Sequence, residues 1–320
     1  MSAIGSPAAA DAPQLSLPID CKVGISCFIQ HYVDVDPGSG IKDYKCGAAA
    51  YNKHSGTDFR VRTLEDVKRG VRVLAAAPGT VSIVRDQLTD RIVRTAKDGI
   101  AVQNVFCGNA VVLDHGDGWK TRYCHMQKGS IQVRKGQKVE RGQPLGLVGF
   151  SGFAQFPHVH LGVTKDGQKV DPFTGAESPE GCETNEAKGL WRADVRPQLN
   201  YRRGQLLAAG FSAGRVSKDS VIWRLPDNAE IASNSKALVS YAWLINVQEG
   251  DRVFTQLTGP KGIIASQTSK PMKRHRSQYV QYTGKQRPKG GWEAGLYVSE
   301  MSLIRDGKRV VQHREVLHMR

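Results

Sequence analysis

The chain has 320 residues, 40% apolar and 23% charged, with 34 glycines; this is enough for two folding units, and the glycine excess favours turn-rich β structure over helix bundles. No run approaches the roughly 18 uninterrupted apolar residues of a membrane-spanning helix, so a soluble chain without a membrane span is expected. The net charge is +15, with 22 basic and 18 acidic residues over 1–180 and 23 basic and 12 acidic over 181–320, so the +11 of the C-terminal part points to an anionic partner there.

Residues 1–20 are rich in Ala, Pro and Ser without periodicity and read as a flexible arm. They have neither a basic n-region nor an apolar core of signal-peptide length. Export is argued from the cysteines instead. Cys21, Cys27, Cys46, Cys107, Cys124 and Cys182 form an even set with no Cys-x-x-Cys pair, which fits disulfides in a periplasmic or secreted protein.

From Cys21 to Phe173 short alternating segments are broken by glycine turns. One short helix is expected from Leu64 to Arg69, stopped by Gly70. Strands are expected on either side of Pro78-Gly79, along Ile131–Val148, and on both sides of Gly116-Asp117-Gly118. Folding about the last turn brings Cys107 nearly opposite Cys124, within the 4.5–5.5 Å or so of cross-strand neighbours, so these two are the disulfide candidates. Residues 174–190 carry turn formers and acidic residues with no apolar face and read as a linker. The domain plan is therefore 1–20 arm, 21–173 compact antiparallel β domain, 174–190 linker and 191–320 accessory domain.

In the accessory domain, Ala237–Val247 places Val239, Tyr241, Trp243, Ile245 and Val247 on one face of a strand. Further strands are expected at 253–257, 278–282, 295–304 and 310–316, spaced as in a small immunoglobulin-like β-sandwich. The fold class is thus mainly β throughout.

Four of the nine histidines and one aspartate form a pattern with chemistry in it. In His158-Val159-His160 the i, i+2 spacing puts both imidazoles on the same face of a strand. His54-Ser-Gly-Thr-Asp58 is poor helix sequence and reads as a loop running into a strand, able to aim an imidazole and a carboxylate at one point. Two imidazoles and a carboxylate suit Zn2+, with a fourth position left for water. Taking His54, Asp58 and His160 as ligands leaves His158 and His125 unassigned; at such a site one neighbouring imidazole can accept the water's proton and a second can donate a hydrogen bond to the oxyanion.

His54-x-Gly-x-Asp58, Tyr123-Cys-His125 closing a Gly-Asn-x-Val-Val hairpin, the Lys135–Gly146 run and His158-Val-His160 together resemble the lysostaphin/LytM family of zinc endopeptidases. The resemblance covers about residues 50–173, roughly 40% of the chain. It implies a compact antiparallel β domain with an open groove. His54, Asp58 and His160 would bind zinc, His125 and His158 would flank the attacking water, and the substrate would be peptidoglycan peptide. The chain departs from common members in Cys124, in a disulfide-like cap over Cys21–Cys46, and in the aromatic segment Phe150–Phe156.

The runner-up reading is a catalytically inactive relative that regulates other wall hydrolases; a third, from the Gly-Gln hairpins, is a lipoyl-carrier or phosphotransfer domain. His115 is read as structural, and His31, His275, His313 and His318 have no partner at metal-ligand spacing. The Lys273–Arg276 run lacks interleaved stacking aromatics, so no nucleic acid is expected and the anionic partner is taken to be wall surface. Oligomeric state is not legible.

Overall fold

The computed structural model describes residues 12–177, 181–182, 186 and 188–320. Among the described residues there are two compact units, one running through residue 61 and from 66 to 200, the other comprising 62–65 and 201–320. The structure is mainly β, as expected, and no helix among the described residues is long and apolar enough to cross a membrane.

The first unit contains β1 (Cys27–His31), β2 (Gly56–Val61), β3 (Arg72–Leu74), β4 (Gly79–Arg85), β5 (Asn109–Gly116), β6 (Trp119–Met126), β7 (Lys138–Val139), β8 (Pro144–Leu147), β9 (His158–Lys165) and β10 (Gln168–Val170). One sheet runs β1-β2-β9-β6-β5-β4-β7, with β10 also paired to β9, and β3 with β8 forms a small second sheet. The expected helix is present as α1 (Leu64–Lys68).

The middle strands of the large sheet explain how the histidines are held. On β2 and β9, Phe59, Val61, Val159, Leu161 and Val163 are buried on one face, each burial contributing roughly 1.5–3 kcal/mol. Alternation sends Asp58, His158 and His160 to the other face, so the apolar side anchors the frame from which the polar side projects.

Three expectations need correcting here. The arm expected over residues 1–20 is not free along its described part, since Leu15 and Ile19 are buried and bridge to Trp191 and Val73; residues 1–11 lie outside the described residues. Burying two large aliphatic side chains outweighs the unpatterned composition around them. The linker expected over 174–190 lies partly outside the described residues, but Cys182 bonds Cys46 and Leu190 is buried. Finally, the first unit extends to residue 200, with Trp191, Val195 and Leu199 buried, so the second unit starts later than 191. A short helix was also not anticipated, α2 (Ala96–Ala101), whose capping box joins Thr95 and Asp98.

The second unit contains β11 (Gln205–Ser212), α3 (Lys218–Trp223), β12 (Ala237–Val247), β13 (Arg252–Gly259), β14 (Gly262–Thr268), β15 (Arg276–Gln286), β16 (Gly295–Arg305) and β17 (Lys308–Met319). Its two sheets run β11-β12-β15 and β14-β13-β16-β17. Ala242 and Leu244 meet Val253, Met301 and Leu303, and Phe211 and Leu238 meet Leu257, Tyr297 and Met319, so a shared core joins the sheets as in a sandwich. On β12 the residues expected on one face, Val239, Tyr241, Trp243 and Ile245, are buried, and Leu238, Ala242 and Leu244 on the even face are buried as well. Asn246 has φ 54°, and Val247 packs in the same core cluster as Leu244.

Candidate metal centre

His54 lies in the loop entering β2. Its Nδ1 donates to the Tyr32 carbonyl at 2.6 Å, and the tautomer protonated there presents a lone pair at Nε2. Asp58 and His160 are directly paired across β2 and β9. The strands can approach because position 56 is glycine: a Cβ there would meet the Leu161 carbonyl oxygen at 2.4 Å and His160 Nε2 at 2.6 Å.

The result is a triangle of donor atoms. His54 Nε2 lies 3.1 Å from Asp58 Oδ1 and 3.0 Å from His160 Nδ1, and His160 Nδ1 lies 3.0 Å from Asp58 Oδ1. All three residues are buried. At most one proton, on His160 Nδ1, can lie among these three atoms; with that ring protonated on Nε2 instead, all three present lone pairs to one point. Such converging lone pairs repel unless a cation lies between them, and two imidazoles with a carboxylate are a suitable set for one.

Two further rings border the triangle. His125 and His158 have centroids 4.5 Å apart, and His125 is 6.1 Å from His160. Each has its Nδ1–H tied to a backbone carbonyl, His125 to Ser151 and His158 to Phe156, both at 2.8 Å. Their Nε2 atoms are therefore the available ones, and that of His158 lies 3.6 Å from Asp58 Oδ1. His125 has φ 61°, a left-handed conformation that costs a non-glycine residue about 1–3 kcal/mol. The conformation is held from both sides, by the His125 N–H to Cys107 carbonyl bond of 2.8 Å and by the Cys107–Cys124 disulfide next to it.

Burial pushes the imidazoles of His31, His125 and His160 below their usual range and that of His158 down to about 4, so these rings are neutral near pH 7. Burial acts against charge on Asp58 as well. The surrounding His54 and His158, with hydrogen bonds from His160 and His31, nevertheless hold its carboxyl well below the ordinary carboxylate range. A neutral His160 beside an ionised Asp58 matches the protonation states that metal ligands require.

Residues 52–172 match the model of peptidase family M23. This stretch is a peptidase family M23 domain. Two similar proteins from Vibrio cholerae are peptidoglycan DD-endopeptidases. ShyA is 43% identical over 82 residues, 25% of this chain and 19% of that protein, and ShyB is 33% identical over 118 residues, 37% and 22%. The chain thus spans about a fifth of the length of these relatives. The crystal structure of a zinc-containing peptidase from Vibrio cholerae is 28% identical, covers 44% of this chain and 38% of that one, and has a TM-score of 0.29.

Within the M23 domain the structure brings His54, Asp58, His125, His158 and His160 together. His115 is tied instead to the Pro78 carbonyl and Thr121 Oγ1, which agrees with a structural role. The dismissal of His31 needs correcting: its Nδ1 lies 3.0 Å from Asp58 Oδ2. Tyr51, 46% exposed, was also overlooked, and its ring lies 4.3 Å from that of His54. Both residues precede the matched segment. No spacing in the sequence joins them to Asp58; for His31 the one signal is the cysteine-bounded cap over Cys21–Cys46 that contains it, and Tyr51 lies beyond that cap.

The Cys107–Cys124 bond expected from the hairpin is present. Its removal by Cys107→Ala with Cys124→Ala is expected to lower the unfolding free energy by about 2–5 kcal/mol in a urea titration. Non-reducing peptide mapping should recover the linked pair, and free thiols at both positions would exclude it.

Proposed function

We propose that this chain is a zinc-dependent endopeptidase that hydrolyses peptide cross-links of bacterial peptidoglycan. The observation that carries this reading is the triangle of His54 Nε2, Asp58 Oδ1 and His160 Nδ1, with two more neutral imidazoles beside it. The DD-endopeptidase relatives support the substrate class. Three disulfides, with those relatives, support action in the periplasm or outside the cell.

His54, Asp58 and His160 would hold the zinc, which when bound lowers the pKa of water toward about 7 and polarises the scissile carbonyl. Asp58 remains ionised among neutral rings and offsets part of the cation's charge. His125 and His158 anchor Nδ1–H on carbonyl oxygens and present unprotonated Nε2 atoms. One takes a proton from the attacking water. A ring protonated at Nε2 then donates a hydrogen bond to the developing oxyanion or returns the proton to the leaving amine. The presence of all five side chains supports an active enzyme over a regulator that has lost its chemistry.

The test is to digest purified peptidoglycan with the full chain and identify new termini by mass. New amino and carboxyl termini within the peptide cross-links are expected, suppressed by a chelator and restored by zinc. No change in the muropeptides would overturn the reading.

The second unit is proposed to hold the enzyme on the anionic wall, on the strength of the +11 balance over residues 181–320. Exposed charges act over about 10 Å at 0.1 M salt and about 3 Å at 1 M. Co-sedimentation of the chelated full chain with wall should therefore fall by roughly tenfold or more over that range. Binding indifferent to salt would remove the docking role.

A further inference from the structure

β1 pairs antiparallel with β2, and its register is interrupted once. Ile29 lies opposite Phe59, so regular pairing would set His31 against Thr57; the irregularity between Ile29 and His31 sets it against Asp58 instead. A bulge of this kind re-aims a side chain through a local bend of its strand. Directly opposed residues share a face, and His31 Nδ1 accordingly reaches Asp58 Oδ2 at 3.0 Å.

The ring has little freedom to leave. His31 is 7% exposed. Its centroid lies 5.4 Å from Tyr51 in an edge-on arrangement, 5.7 Å from Phe156 and 5.9 Å from His54. Tyr51 and the strand that carries His31 both lie outside the matched 52–172 segment, so this support is added to the M23 domain by the part of the chain that precedes it.

We propose that His31 is a positioning residue that donates its Nδ1–H to Oδ2 of Asp58 and so leaves Oδ1 alone to face the His54–His160 pair. The inference rests on the metal-site reading above. An ionised carboxylate can only accept, so the bond fixes the His31 tautomer as well as the carboxylate plane. With Oδ2 occupied, Asp58 is restricted to one-oxygen coordination, and the plane is set before the ion arrives. Loss of an outer hydrogen bond of this type characteristically weakens metal affinity by about 10–100-fold.

The discriminating variants are His31→Leu, which fills the space without a donor, and His31→Asn, whose amide nitrogen stands at the same bond distance from the backbone as Nδ1. The full chain, stripped of metal, is titrated with zinc against a chromogenic chelator, and the cobalt-loaded forms are compared by visible absorption. His31→Leu is expected to bind zinc about 10–100-fold more weakly and to show a cobalt band weakened by a two-oxygen carboxylate. His31→Asn is expected to restore both to near the parent. Parental affinity and spectrum in His31→Leu would overturn the proposal, as would equal losses in both variants with unchanged thermal midpoints. If His31→Leu fails to fold, His31→Asn decides: parental values support the proposal and a tenfold loss overturns it. A parent chain that binds no zinc defeats the metal-site reading itself, which a parent that binds with indifferent His31 variants does not.

Discussion

Purified Asp58→Ala is expected to contain no zinc and to cleave wall peptide at least about 10³-fold more slowly than the parent chain. Asp58 is, among the described residues, a carboxylate ringed by imidazoles: Oδ1 meets His54 and His160, Oδ2 meets His31, and His158 lies 3.6 Å from Oδ1. Truncation leaves two imidazole donors where three ligands are needed, with no carboxylate to offset the ion's charge. Asp58→Asn keeps the shape while removing the charge and serves as the control for folding; it too should lose most of the zinc. Elemental analysis after dialysis gives the stoichiometry and mass analysis of digested wall gives the rate. Full zinc content in Asp58→Ala, or wall hydrolysis that survives chelation, would show that the triangle is not the reactive centre.

The parts of this site that could be read from sequence are those written in local spacing. His158 and His160 stand two apart, and a strand turns that spacing into a shared face. The hairpin around Gly116–Gly118 likewise contains its own turn, so the approach of Cys107 to Cys124 follows from chain order alone. His31 was not readable, because its partner is 27 residues away and its aim depends on a one-residue register shift that leaves no mark in composition. Leu15 and Ile19 failed for a related reason: two aliphatic residues among Pro, Ser and Gln have no period, and only the finished unit shows what buries them. The capping pairs Thr95 with Asp98 and Ser217 with Ser220 were legible signals for α2 and α3, but Gly99 and the shortness of both helices masked them. In β12 the alternating aromatic and branched residues mark one face, whereas burial of the other face needs the fold around it.

His125→Ala should have the opposite profile to the Asp58 variant, keeping one zinc per chain while losing about 10²-fold or more in turnover. His125 stands outside the triangle, with its ring 6.1 Å from that of His160 and 4.5 Å from that of His158. In the proposed mechanism it offers only Nε2, because Nδ1 is committed to the Ser151 carbonyl. The backbone complicates a simple truncation, since φ is 61° and alanine is strained there as histidine is. His125→Gly separates the two effects, because glycine adopts this conformation freely and shares only the loss of the ring. Equal falls in turnover for the alanine and glycine variants, each with parental zinc content, would assign the effect to the imidazole. A fall confined to one of them would assign it to the backbone at this bend. Turnover within about threefold of the parent in both would remove His125 from the reaction and leave His158 as the single ring able to move the water's proton.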